Sequence, residues 1–290
     1  MKIDLDNSTP FNLDATLCCG QTFRWEKQGR WYYGVVRDRV FKIRQLGREL
    51  EYEGVHFDFL KEYFSLDDDL QEIFHQIGKD KHIVAAITKF RGLRILRQDS
   101  WECLISYICA TYKNIPAIKH MLSSLSRRFG KKMGFDGNEF YTFPTSERLA
   151  KATVDELREC GLGYRANYVL ETSKMVCESN FDFYSLGELF YEQAKEELMG
   201  FPGVGEKVAD CVLLFSLNKL EAFPVDVRIR RAILRYYASH FPKDFENRAS
   251  SEKPMSRSEY EKLNRFGREY FGKYAGYAQE YLYHYERTQT

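Results

Sequence analysis

The chain has 290 residues, 44% apolar and 29% charged, with a net charge of +1. That composition suits two or three domains with real cores and excludes disorder on a large scale. It gives no overall attraction for nucleic acid, so any phosphate-binding surface must come from local concentration of Lys and Arg.

The opening stretch, MKIDLDNSTPFNLDATLCCGQ, has no basic segment followed by an apolar one, and nowhere do eighteen apolar residues run together. A cytoplasmic protein, nucleoid-associated if prokaryotic, with no membrane partner is therefore expected. From Thr22 to about Tyr52 the sequence is rich in aromatic and β-branched residues, and its short apolar runs break at KQG, RDR and LGRE. This predicts four short antiparallel strands joined by tight turns. After SLDDDL the apolar spacing turns helical, in LQEIFHQIGKDKHIVAAITKF, WECLISYICATYKNIPAIKHMLSSLSRRFG and TVDELRECGLGYRANYVLETSKMVCES. The fold class is thus α+β, mostly α: a small amino-terminal antiparallel β domain over 1–95, then an all-helical core over 96–290. HFPKDFENRASSEKPMSRSEYEKL reads as an exposed connection, and two aromatic-rich helices close the chain.

Seven cysteines (18, 19, 103, 109, 160, 177 and 211) are scattered and never form C-x-x-C, so neither a disulfide framework nor a zinc site is indicated. None follows Cys211, which excludes a carboxy-terminal four-cysteine iron–sulfur cluster.

Residues 196–217 combine a helical end, the break GFPGVG and a second helical run, EKVADCVLLFSL. This reads as a helix-hairpin-helix. Gly203 and Gly205 can take positive φ and bring bare N–H groups, together with the next helix's positive dipole end, towards a phosphate. A plain αα turn would carry the same glycines. Lys207 falls in the first turn of that second helix, where the dipole disfavours an ammonium and eases access to a nucleophilic amine. Asp226 lies nineteen residues on, at the N-cap of an arginine-bearing helix, so both side chains can line one cleft. Capping alone would also explain Asp226. The run DVRIRRAILRYY makes a local basic patch, which on charge alone a solvated helix face explains better than a nucleic-acid contact.

Phe201 to Asp226 resembles the signature of the helix-hairpin-helix DNA glycosylases. GQTFRW (20–25), RQDSWECLISYIC (97–109), GLGYRANYV (161–169) and YAQEYLYHYE (277–286) narrow the resemblance to the 8-oxoguanine DNA glycosylase/lyases of the eukaryotic type. The matches run in order along nearly the whole chain. The resemblance implies a bifunctional base-excision-repair enzyme that flips 8-oxoguanine out of duplex DNA, removes it and nicks the strand. Lys207 would be the Schiff-base nucleophile and Asp226 the carboxylate stabilising the cationic sugar. The Gly20 carbonyl would accept the N7 hydrogen of the lesion, Cys211 and Tyr283 would bracket the base, and Gln279 would read its Watson–Crick edge. Tyr283 stands where the family has Phe.

Tyr164 and Arg165 match residues that wedge the duplex and contact the orphaned base. Gly203, Gly205, Asn114 and Arg228 would touch the DNA backbone. The chain departs from the family at YKNIPA: Tyr112 replaces an intercalating Asn, and Ala117 an Arg that hydrogen-bonds the opposite cytosine. Losing that donor fork costs on the order of 1–3 kcal/mol of discrimination, so a relaxed opposite-base preference is expected. No cofactor takes part in the chemistry; a structural monovalent cation on hairpin carbonyls and a monomeric state are implied. The competing readings are another helix-hairpin-helix glycosylase, for alkylated purines or another oxidised base, and a non-catalytic DNA-binding module. Lys207 argues against enzymes for alkylated purines or for adenine opposite 8-oxoguanine, which generally use water, and the missing carboxy-terminal cysteines argue against an enzyme for oxidised pyrimidines. The combination of Lys207, Asp226 and a base pocket argues against the binding module.

Overall fold

Three two-residue turns set the amino-terminal sheet. Gly29–Arg30, Arg37–Asp38 and Gly47–Arg48 each begin with a residue at positive φ (59°, 56° and 62°), which suits the twist of paired antiparallel strands. They join β2 (Trp25–Gln28), β3 (Trp31–Val36), β4 (Arg39–Leu46) and β5 (Glu49–Glu53) in the registers Gln28–Trp31, Val36–Arg39 and Leu46–Glu49. A fifth strand that the sequence did not reveal, β1 (Lys2–Asp4), pairs with β5, giving the order β1-β5-β4-β3-β2. Three residues carry no legible alternation. Lys2 instead anchors the strand by ion pairs to Glu49 (3.0 Å) and Glu51 (2.6 Å). The buried residues Trp25, Phe41, Ile43 and Leu50 pack with Leu60, Tyr63 and Phe64 in a small core.

The computed structural model describes residues 1–6, 9–245 and 254–289. Beyond the sheet, helices dominate. Leu70–Ile77 and Lys81–Lys89 are N-capped by Asp69 and Asp80, and Asp80 explains why one apolar stretch becomes two helices. Both join the larger core, whose centre is the helix Ser100–Ala110. Every residue from Cys103 to Ala110 is buried, as expected of a helix enclosed on all sides. Its Tyr107 ring stacks on Phe215 at 5.6 Å.

The larger unit is not wholly helical. Lys132–Phe135 and Asn138–Tyr141 form a hairpin (β6, β7) around Asp136–Gly137, with φ of 51° and 74°. The Asp136 carboxylate accepts from Tyr33 Oη and Lys42 Nζ, each at 2.6 Å, and so ties this hairpin to the sheet. Of the expected exposed connection, residues 246–253 lie outside the described residues. Phe245, before them, is buried, and the ring of Phe241 packs on it at 5.1 Å. No helix among the described residues is long and apolar enough to cross a membrane.

Candidate active site

The hairpin joins Tyr191–Met199 to Glu206–Ser216. Gly203 has φ of +80°, and a Cβ there would meet the Tyr168 ring at 2.7 Å, so both the backbone angle and the packing require glycine. Gly205 departs from expectation. Its φ of −101° and ψ of −178° are extended, because it is the N-cap of the next helix and needs no left-handed geometry.

Lys207 is the second residue of that helix, with its Nζ 5.8 Å from the Tyr107 ring centroid. Asp226 caps Val227–Tyr236, its Oδ1 accepting from the backbone N–H groups of Arg228 (2.9 Å) and Ile229 (2.8 Å). Both side chains thus stand at helix N-termini, as their spacing predicts. Their common neighbour is the buried Cys211, one turn beyond Lys207. Burial pushes the Cys211 thiol up to about 12; Lys207 opposes that rise, while Asp210, Asp226 and Glu280 reinforce it.

A buried network with no local sequence signal fixes these two helix starts. Asp210 is fully buried and accepts from Lys195 Nζ (3.0 Å), Tyr260 Oη (2.5 Å), Asn264 Nδ2 (3.0 Å) and Tyr191 Oη. Lys195 also pairs with Glu206, the residue before Lys207, at 2.8 Å. Asn264 Nδ2 donates to the Phe223 carbonyl at 2.9 Å, and the Val225 N–H reaches Tyr260 Oη at 3.4 Å, which secures the extended segment leading into Asp226. A cleft of about 490 Å³ beside this network is lined by charged residues such as Glu192, Arg257 and Arg268. It involves none of Gly20, Cys211, Gln279 or Tyr283.

The residues expected to hold the base come from distant segments. Gly20 has φ of +113°, and a Cβ there would lie 3.3 Å from Tyr283 Cε1, 3.4 Å from Arg287 Nη1 and 3.5 Å from Ile115 Cδ1. The neighbouring Gln21, 1% exposed, locks this turn through Nε2 to the carbonyls of Arg94 (2.8 Å) and Thr16 (3.0 Å). Its own carbonyl accepts from Tyr107 Oη at 3.1 Å. The Arg287 guanidinium reaches the Cys18 carbonyl and staples the last helix, Ala275–Arg287, to the same turn. On that helix Tyr283 is half-buried. Burial raises its hydroxyl, and Asp226 and Glu280 add to the effect. Gln279, one turn earlier, is 5% exposed with an Oε1 that has no hydrogen-bond partner. Gly20, Cys211, Gln279, Tyr283 and Asp226 therefore share one neighbourhood.

The expected duplex-wedging residues form a second group. Tyr112 is 87% exposed in the left-handed region (φ 54°), and Asn114 caps the following helix by accepting from the Ala117 N–H at 3.0 Å. Tyr164 is exposed, and its ring meets Tyr168 edge-on at 5.9 Å, in line with the Gly203 turn. Arg165 is different. It is 3% exposed, with its guanidinium 4.4 Å from the Tyr164 ring centroid and donating to the Thr111 carbonyl. In this arrangement it braces Tyr164 and the 111–112 loop and presents no fork to solvent. The basic patch also shrinks: Arg230 is buried against Glu259 (2.7 Å) and Arg235 pairs with Glu286 (3.3 Å), while Arg228 acts on Tyr283 at the pocket.

Two family models match the chain. One, for the 8-oxoguanine DNA glycosylase N-terminal domain, covers residues 2–104; the other, for the HhH-GPD superfamily base excision DNA repair protein, covers residues 105–256. Fold and hairpin together thus define a helix-hairpin-helix base-excision repair protein. The N-glycosylase/DNA lyase of Saccharomyces cerevisiae is 33% identical, over 96% of this chain and 84% of the yeast protein. The N-glycosylase/DNA lyase OGG1 of Arabidopsis thaliana is 31% identical, over 95% and 77%. The structure of Clostridium acetobutylicum 8-oxoguanine glycosylase/lyase with dsDNA containing cytosine opposite 8-oxoG has a TM-score of 0.87 and 31% identity, covering 100% of this chain and 98% of that one. The chain belongs to the 8-oxoguanine DNA glycosylase family.

Proposed function

We propose that the protein removes 8-oxoguanine from double-stranded DNA and then nicks the strand at the resulting abasic site, acting as a monomer. The neutral amine of Lys207 attacks the anomeric carbon. The glycosidic bond breaks as the base leaves with its electron pair, and ring opening gives a Schiff base from which β-elimination expels the 3′ phosphate. Asp226, its charge supported by two backbone N–H donors, stabilises the positive charge that develops on the sugar. The Gly20 carbonyl accepts the N7 hydrogen, Cys211 and Tyr283 bracket the base, and the unpartnered Oε1 of Gln279 meets its Watson–Crick edge.

The hairpin around Gly203 and Gly205, with Asn114 and Arg228, grips the backbone, while Tyr112 and Tyr164 fill the gap left by the base. Arg165 serves from beneath Tyr164. The hairpin's donors are neutral carbonyls, a set that suits a structural monovalent cation, although the Pro202 carbonyl already accepts from Thr172 Oγ1 at 3.2 Å. Ala117 offers no fork to the opposite base, which supports a relaxed opposite-base preference.

What supports this reading most is that Gly20 closely approaches Tyr283, that Tyr283 and Cys211 both feel the Asp226 charge, and that Cys211 lies one turn from Lys207. Borohydride trapping on duplexes carrying 8-oxoguanine opposite each normal base tests it. The wild type should form a covalent adduct that Lys207→Gln abolishes, with yields within about tenfold across opposite bases. Tight binding without any adduct would refute the lyase chemistry, and a strong cytosine preference would refute the relaxed reading.

A further inference from the structure

Helix Ala275–Arg287 places two buried polar side chains next to each other, and the function proposed above uses only Gln279. Its neighbour Glu280 is 2% exposed, and its Oε1 has no hydrogen-bond partner. Groups from four other segments face that carboxyl: Cys19 from the Gly20 turn, Tyr107 from the central helix, Cys211 from the Lys207 helix and Asp226 from its N-cap. Tyr283 and Arg287 complete the ring from Glu280's own helix. Arg287 is the one cation among these six, and it also donates to the Cys18 carbonyl.

Two neighbouring carboxyls, one of them 2% exposed, ionise together only at a cost. The structure distinguishes them. Asp226 accepts from two backbone N–H groups, whereas Glu280 has only the Cys19 thiol as a hydrogen-bonding partner and leaves Oε1 unpartnered. We propose that Glu280 is a positioning residue of the base pocket that stays a neutral carboxylic acid in the active enzyme, leaving Asp226 as the sole carboxylate beside the reacting sugar, and that its ionisation suppresses base excision.

This inference rests on the proposed glycosylase reaction. Burial pushes the Glu280 carboxyl up to about 7, with Asp226 adding to the rise and Cys19 and Arg287 opposing it. Once ionised, Glu280 places a second negative charge near Asp226 and Cys211. That charge opposes departure of the base with its electron pair.

The test is single-turnover excision of 8-oxoguanine from about pH 5.5 to 9 by wild type and Glu280→Gln, an isostere with no proton to lose. The wild-type rate should fall roughly tenfold per pH unit on a limb that begins near neutrality, and Glu280→Gln should lack that limb. Infrared spectra of the DNA-free wild type should contain a carboxylic-acid carbonyl band that titrates near neutrality. Asp226→Asn should lower the pH at which that band disappears, since the neighbouring charge is gone. Superimposable pH profiles, or no such band at any pH, overturn the proposal. If the wild type excises no base at all, the functional reading fails separately, and the infrared titration decides Glu280 alone: a band that titrates supports the neutral acid, and its absence overturns it.

Discussion

Replacing Asp210 by Asn should cost far more than a change of one buried atom suggests. The carboxylate accepts four donors, from Tyr191, Lys195, Tyr260 and Asn264, and is fully buried. Burial pushes its carboxyl up, and Lys195 is the strongest opposing influence. An amide turns an NH2 group towards donors and removes the charge that Lys195 faces. Loss of one partner of a buried ion pair costs about 3–5 kcal/mol. Lys195 keeps Glu206 at 2.8 Å, which places the expected loss near the lower end, about 3 kcal/mol. At roughly 2–3 °C per kcal/mol for a chain of this size, the melting midpoint should drop by about 6–9 °C.

Thermal unfolding and single-turnover excision, measured on the same samples, form the assay. The excision rate should fall as well, because the network holds the segments that begin at Glu206 and end at Asp226. Adding Lys195→Met to Asp210→Asn should cost less than the sum of the two single changes, by about 1–3 kcal/mol. An Asp210→Asn protein that melts within about 1 °C of wild type and excises at the same rate would refute this account.

Gly20→Ala forces φ of +113° on a residue with a Cβ and pushes that atom towards the Tyr283 ring 3.3 Å away. Base excision should fall at least about tenfold, while nicking of a preformed abasic site, which needs no base in the pocket, should be nearly unchanged; equal losses would refute the pocket role. Burial pushes the His284 imidazole down to about 4, so the folded state binds fewer protons than the unfolded state as pH falls below about 6.5, and stability is lost over that window. His284→Phe, beside the Phe90 ring at 4.1 Å, should lose about 1 kcal/mol less than wild type between about pH 7.5 and 5 in urea unfolding, after allowance for partial screening; parallel losses would contradict the assignment.

What the sequence made legible follows from the range of the signal. The four-strand meander was readable because its turns lie between the strands they join, and Lys207 and Asp226 because each opens a helix that local spacing reveals. The hairpin at Asp136–Gly137 carried a readable Asp-Gly turn that helical periodicity on either side masked. Other features had no local signal. Asp210 looks like an ordinary mid-helix residue until Lys195 and Asn264 arrive from fifteen residues before and fifty-four after. Arg165, chosen as a DNA contact by resemblance, is drawn inward by the Thr111 carbonyl, which only the folded chain brings near. Gly205 illustrates a subtler limit: glycine permits a left-handed turn without requiring one.

The staple from Arg287 to the Cys18 carbonyl also sets an order of events during synthesis. The hairpin, Lys207 and Asp226 leave the ribosome before the helix Ala275–Arg287 that carries Gln279 and Tyr283. At about 5–20 residues per second, the interval between residues 226 and 287 lasts roughly 3–12 s. During that time the nascent chain holds its proposed nucleophile without the side chains proposed to inspect the base. A chain that stopped short of the last helix would keep the Lys207 amine and the Gly20 turn but lack Tyr283, Gln279 and the Arg287 staple that holds that turn in place.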